Sequence, residues 1–339
     1  MRKAVMVGMV AVLVLVAVAC RKDFDFDGDG KADKYYVDTY NGDWYRLNPS
    51  PNTPTFLAAG HGPWAAGDYD GDGKWEPGAV AGSTWWSETA GTQTWARPDN
   101  TGPGSSQYID IVQGDYDGDG KTDPAFYRER DATWFIKGQD PVQFGTVATN
   151  LNASGGYAYD QDFPVPADYD GDGKTDLSTY NPRTAAWRIR SSATGTDSSV
   201  VVGTPGAWPA PADYDGDGKD DRAVVSWAGV WTIEGQSSFT FGPGSTMDLW
   251  YPTVADYDGD KKADASYVQF ANTGGPTSVP SYWHIRSSQG PTFAETTEMI
   301  PASATAGTHV IPAQMSLDII VATARWTLAV RCANNVTNC

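Results

Sequence analysis

The chain is poor in the residues on which many catalytic, redox and nucleic-acid-binding proteins depend. Its 339 residues hold 3 Cys, 3 His and 24 Lys plus Arg against 42 Asp plus Glu, a formal net charge of −18. So few basic groups exclude a nucleic-acid binder, because neutralising phosphates needs clustered Lys and Arg. Three cysteines build neither a disulfide framework nor a typical structural zinc site. His61, His284 and His309 lie far apart; no HExxH, GxSxG or phosphate-binding loop occurs, so no catalytic residues are nominated and no enzyme is expected. Long apolar runs are also missing save one, the 16 residues Ala4–Ala19, which fall short of the about 20 that span a bilayer.

That run follows Arg2 and Lys3 and ends at small residues, the pattern of a secretory signal peptide over residues 1–19. Ala17-Val18-Ala19-Cys20 resembles the lipobox of bacterial lipoproteins, with Ala17 at the usual Leu place. The resemblance implies lipidation of Cys20, a lipid anchor as the sole membrane contact, and, with Arg21 next, an outer-membrane or cell-surface location. A plain cleaved signal and an uncleaved anchor are the alternatives, and every reading predicts export. Export is oxidising, so Cys332 and Cys339 can close a short loop in the tail 332–339; two free thiols are the alternative.

What is abundant is aspartate, and it is periodic. DFDGDGKAD begins at Asp25, DYDGDGKWE at Asp68, DYDGDGKTD at Asp115 and again at Asp168, DYDGDGKDD at Asp213 and DYDGDKKAD at Asp256. These six nonapeptides, spaced 43, 47, 53, 45 and 43 residues apart, mark a repeat protein.

Carboxylates occupy positions 1, 3, 5 and 9 of each copy. They are Asp25, Asp27, Asp29 and Asp33; Asp68, Asp70, Asp72 and Glu76; Asp115, Asp117, Asp119 and Asp123. The later copies give Asp168, Asp170, Asp172 and Asp176; Asp213, Asp215, Asp217 and Asp221; Asp256, Asp258, Asp260 and Asp264. Four carboxylates within nine residues repel one another unless a hard cation takes them, and calcium accepts six to eight oxygens where magnesium demands a strict octahedron. Glycines at positions 4 and 6 allow the tight turn. Position 7 would add a backbone carbonyl from Lys31, Lys74, Lys121, Lys174, Lys219 and Lys262, its ammonium pointing away. Position 12 carries no acid and strand-like sequence follows, so these are not EF-hands. Lys261 replaces the second glycine in the sixth copy, which is expected to bind more weakly. A turn-rich, solvated acidic loop is the plain alternative.

Between loops, short extended runs such as Pro164–Ala167, Asp176–Tyr180 and Val142–Gly145 alternate with turn residues. Four such runs per repeat predict an all-β fold: a β-propeller of four-stranded antiparallel blades over residues 20–331, with little helix. Trp44, Trp95, Trp134, Trp187, Trp231, Trp283 and Trp326 mark seven blades, six carrying calcium loops. The first lacks its own first strand, and His309–Ala313 would open the seventh; six blades plus a C-terminal appendage is the alternative.

The DYDGDGK loops, the PVPAD-type run before them and the short strand after them resemble FG-GAP/VCBS repeats, the blades of integrin-α-type propellers, over Asp25–Ile285 and weakly to Trp326. The resemblance implies about six calcium ions held by positions 1, 3, 5 and 9 between the first two strands of each blade. It fixes fold and metal better than partner.

The expected function is that of a monomeric binding or adhesion module for an extracellular protein or polysaccharide. A lectin using Trp64, Trp85, Trp86, Trp208, Trp227 or Trp250 is the alternative, with those residues filling space between blades as the plainer role. A polysaccharide lyase or hydrolase is the second. Positions 1, 3, 5 and 9 of the loops hold 24 of the 42 acids; cleavage before Cys20 leaves −20, and six calcium ions would bring that to about −8.

Overall fold

The computed structural model describes residues 24–38, 43–47, 54–59, 65–81, 84–95, 109–147, 162–243, 249–270, 281–288, 295–300 and 310–312. Cys20, Cys332, Cys339, His61, His309, Trp64 and Trp326 lie outside them. The described residues are strands and turns, with one short 3-10 turn at Glu129–Asp131.

They form five four-stranded antiparallel sheets and a sixth of three strands. The third blade runs Ile109–Ile111, Ala125–Arg128, Thr133–Ile136 and Val142–Gln143. The fourth runs Phe163–Pro164, Leu177–Asn181, Ala186–Arg190 and Asp197–Val201. Trp208–Pro209, Ala223–Val225, Val230–Ile233 and Phe239–Thr240 make the fifth. Leu249–Pro252, Ala265–Phe270, Ser281–Arg286 and Glu295–Ile300 make the sixth. Pro164, Pro209 and Pro252 close first strands, edge positions where a missing N–H is tolerated. The second blade has Gly78–Ala81, Thr84–Ser87 and Gly91–Thr94. Ala65 N–H, donating to the Gly78 carbonyl at 2.8 Å, stands in for its first strand.

The first blade corrects the expectation of seven. Tyr35–Asp38, Asp43–Leu47 and Pro54–Ala59 are joined by Val310–Pro312, whose partners are Tyr36, Val37 and Asp38. The run read as the opening of a seventh blade is therefore the missing first strand of blade one. An edge left open by one end of the chain is closed by the other, and an unpaired edge is what sheet proteins avoid.

Third strands alternate inward and outward, and each sends one Trp into the core: Trp44, Trp134, Trp187, Trp231 and Trp283 are fully buried. The second blade uses Trp85, paired with Val80, rather than Trp95; Trp95 is partly buried and stacks on Phe126 of the next blade. Of the supernumerary tryptophans, Trp85, Trp208 and Trp250 are buried, and Trp86 and Trp227 half-buried.

The core lies between blades. Phe126 packs with Trp85, Val224 with Val202, Tyr251 with Trp208, and Leu47 of blade one with Trp283 of blade six. The last contact closes the circle.

Candidate metal centres

Each loop is folded by its own carboxylates. In every copy the position-1 aspartate accepts the position-4 N–H at 2.6–2.7 Å on one oxygen. Its other oxygen accepts the position-6 N–H at 2.8–3.0 Å. Position 3 accepts from the position-5 N–H at 3.0–3.2 Å, and position 5 from position 7 at 2.8–2.9 Å. Position 9 accepts from the position-2 N–H at 2.8–3.0 Å, pinning the end of the loop to its start. The glycines make this possible: Gly71 and Gly73 have φ of +82° and +85°. Lys261 takes the same left-handed conformation, φ +68°, and its N–H still reaches Asp256 at 2.8 Å.

The turn brings hard donors to a point. Carboxylate oxygens of Asp68, Asp70, Asp72 and Glu76 lie within 4.8 Å of one another, as do those of Asp25, Asp27 and Asp29; Asp115, Asp117 and Asp123; Asp168, Asp170 and Asp176; and Asp213, Asp215 and Asp221. An all-oxygen, multiply anionic donor set fits calcium better than softer or octahedral ions. Burial makes the ninth carboxylate awkward on its own. It pushes Glu76 and Asp264 up to about 7 and Asp33, Asp123, Asp176 and Asp221 up to about 6, with the neighbouring carboxylates adding to the rise.

The loops also hold each other. The position-8 N–H of each donates to the position-1 carbonyl of the loop before it: Trp75 to Asp25, Thr122 to Asp68, Thr175 to Asp115, Asp220 to Asp168 and Ala263 to Asp213, at 2.6–2.9 Å. Ala32 to Asp256, 2.7 Å, completes a closed ring of six. Each position-7 lysine turns away from its own loop, its stem crossing the position-4 glycine of the preceding one, and Lys174 Nζ donates to the Asp117 carbonyl at 2.8 Å. The ring encloses a cavity of about 760 Å³ lined by residues of all six loops, among them Lys31, Lys121, Lys174 and Lys261. The position-2 tyrosines brace the loops from below, Tyr69, Tyr116, Tyr169, Tyr214 and Tyr257 each donating to the carbonyl four residues earlier at 2.5–2.8 Å.

Sequence reasoning missed the groups that reach the loops from the third strand. In loop four, Ser191 Oγ donates to Asp170 at 2.5 Å, Ser192 N–H to Asp176 at 2.6 Å and Ser192 Oγ to Asp172 at 2.9 Å. In loop six, Ser287 Oγ donates to Asp258, Ser288 N–H to Asp264 at 2.7 Å and Ser288 Oγ to Asp260 at 2.7 Å. The repeated Arg-Ser-Ser after the third strand was the available signal. In loop one, Arg46 Nη1 contacts Asp27 and also Asp33, 3.2 Å away. His284 stacks on Tyr267 at 4.5 Å, a packing role.

No family model matches the chain, and no curated protein does. Among solved structures it is similar to an Agrocybe aegerita lectin that recognises non-reducing terminal N-acetylglucosamine, with 16% identity, 89% of this chain and 90% of that one covered, and a TM-score of 0.47. It is similar to BBS1N, solved in complex with ARL6DN, with 11% identity, 89% and 96% coverage and a TM-score of 0.41. A neuraminidase-like protein of A/flat-faced bat/Peru follows, with 13% identity, 86% and 96% coverage and a TM-score of 0.34. These distant likenesses assign no residue a role, and the chain is described by its own architecture: a closed β-propeller whose acidic loops share one ring.

Proposed function

We propose that the protein is an exported, calcium-stabilised β-propeller, lipid-anchored through Cys20, that acts as a non-catalytic binding module for an extracellular protein or polysaccharide. The observation that carries the reading is the closed ring of acidic loops. Loops one to five each gather three or more carboxylates, some of them buried, and each of the six loops is bonded head to tail to the next. Calcium supplies positive charge where the carboxylates would otherwise repel one another. The chain's own part is to orient the oxygens: positions 1 and 9 are fixed by backbone N–H groups, and the glycines hold the turn.

A rigid frame of this kind suits presentation of a surface more than chemistry, since the carboxylates at positions 1, 3, 5 and 9 are committed to the loops. The buried Trp85, Trp208 and Trp250 favour a packing role over sugar stacking.

The test is thermal unfolding with and without chelator. At a dissociation constant near ~0.1 mM in ~1 mM calcium, each site adds about 1.4 kcal/mol, so excess EDTA is expected to lower the melting temperature by well over ten degrees. An unchanged melt rejects structural calcium. Palmitate labelling of the exported protein, lost in Cys20→Ser, checks the anchor, and a glycan array on the calcium-loaded protein separates a sugar ligand from a protein one.

A further inference from the structure

We infer that loop one is not a calcium site: Arg46 is its built-in counter-cation, and the ring carries one metal-independent member. This rests on the calcium reading of the other loops. Arg46 Nη1 contacts a carboxylate oxygen of Asp27 and lies 3.2 and 3.4 Å from the two oxygens of Asp33. Positions 3 and 9 of one loop are thus joined through a guanidinium, where an ion would join them elsewhere. The side chain is only 20% exposed, so this is a seated group.

Strand register shows that the seating is particular to this blade. Arg46 lies opposite Tyr35, which is position 11 of the first repeat. The same register in the other five blades holds Ser87, Ile136, Ile189, Ile233 and Ile285, opposite Gly78, Ala125, Ser178, Ala223 and Ser266. None of these five is charged. Only in blade one does a residue at this register carry a permanent positive charge, and there it reaches the ninth carboxylate. Being tethered, the guanidinium faces the carboxylates at an effective concentration that dissolved calcium does not match at millimolar levels, and two like charges cannot share one nest of carboxylates without repulsion.

The placement has a structural logic. Blade one is the seam of the propeller, closed by residues 310–312, and its loop is linked on both sides, Trp75 N–H to Asp25 and Ala32 N–H to Asp256. A loop satisfied by its own arginine is formed there before any ion arrives.

Native mass spectrometry of the full chain in calcium counts bound ions directly. The wild type is expected to hold no more than five. Arg46→Met, which keeps the volume and removes the charge, is expected to gain one; Asp27→Asn is expected to leave the count unchanged, whereas Asp70→Asn lowers it by one. A wild-type count of six, a loss in D27N, or no gain in a folded R46M overturns the inference. If R46M does not fold, D27N against D70N still decides. A wild-type count of zero overturns the calcium reading itself, an outcome distinct from all of these.

Discussion

Loops four and one share the spacing of their acids and differ in what completes them. In loop four, Ser191 and Ser192 supply neutral donors to Asp170, Asp172 and Asp176, leaving the site's negative charge intact. In loop one, Arg46 brings a charge of its own. The nonapeptide therefore makes the turn, and a residue some twenty positions later decides what the turn is used for. Motif matching alone counts six equal sites; the third strand makes them unequal.

The largest expected effect is the pH dependence of stability with and without calcium. The ninth carboxylates, raised to about 6 or 7 by burial, hold their protons more tightly folded than unfolded. In chelator their contribution is fully present below about pH 4 and is lost as pH rises through 6 to 7. The metal-free protein is thus expected to melt lower at pH 8 than at pH 5. In calcium the order inverts, because the ion requires ionised carboxylates and its affinity falls below about pH 6. Melting curves at both pH values, with EDTA or calcium, should cross; parallel curves contradict the assignment.

Next in size is the first aspartate of each loop. Asp168→Ala removes the acceptor for Gly171 and Gly173 and a ligand, and should cost about 2–4 kcal/mol in calcium, with a smaller loss in EDTA. Asp25→Ala should cost about the same with and without EDTA, since loop one has no ion to lose. Equal chelator sensitivity of the two variants in urea unfolding would erase the distinction.

Smaller effects follow. Ser192→Ala and Ser288→Ala each delete a hydroxyl donor and should cost about 1 kcal/mol in EDTA. Lys261→Gly should raise stability by about 1 kcal/mol or less, because a non-glycine residue at φ +68° is strained while the N–H bond to Asp256 survives the change. A loss there in denaturant melts would mean that the lysine side chain matters more than its backbone.

Much of this was legible in the sequence. The loop boundaries and the four runs per repeat follow from local chemistry, since glycine, aspartate and alternating apolar residues act over a few positions. Blade number did not follow. Val310-Ile311-Pro312 reads as a first strand whichever blade it joins, and pairing with residues nearly three hundred positions away leaves no local mark. The second blade's marker was misassigned because Trp85-Trp86-Ser87 lacks the Trp-x-Ile of blades three to six, which made Trp95 look equally suitable. Arg46 was in view: Trp44-Tyr45-Arg46 stands where the later repeats read Trp-x-Ile. Its meaning depends on knowing that its side chain reaches the ninth carboxylate.

The seam also sets an order in time. A chain that emerges from its N-terminus can pair the strands of blades two to six as they appear, while Tyr35–Asp38 waits for Val310–Pro312. Until then the buried flanks of blades one and six, Leu47 and Trp283 among them, face solvent. Such a chain is at its most adhesive and most easily cleaved just before completion, with closure the slow step because it joins the most distant contacts. Breaking the pairing of Val310–Pro312, the last of the described strands, is therefore expected to do more harm than its three residues suggest: it leaves a ring that never shuts.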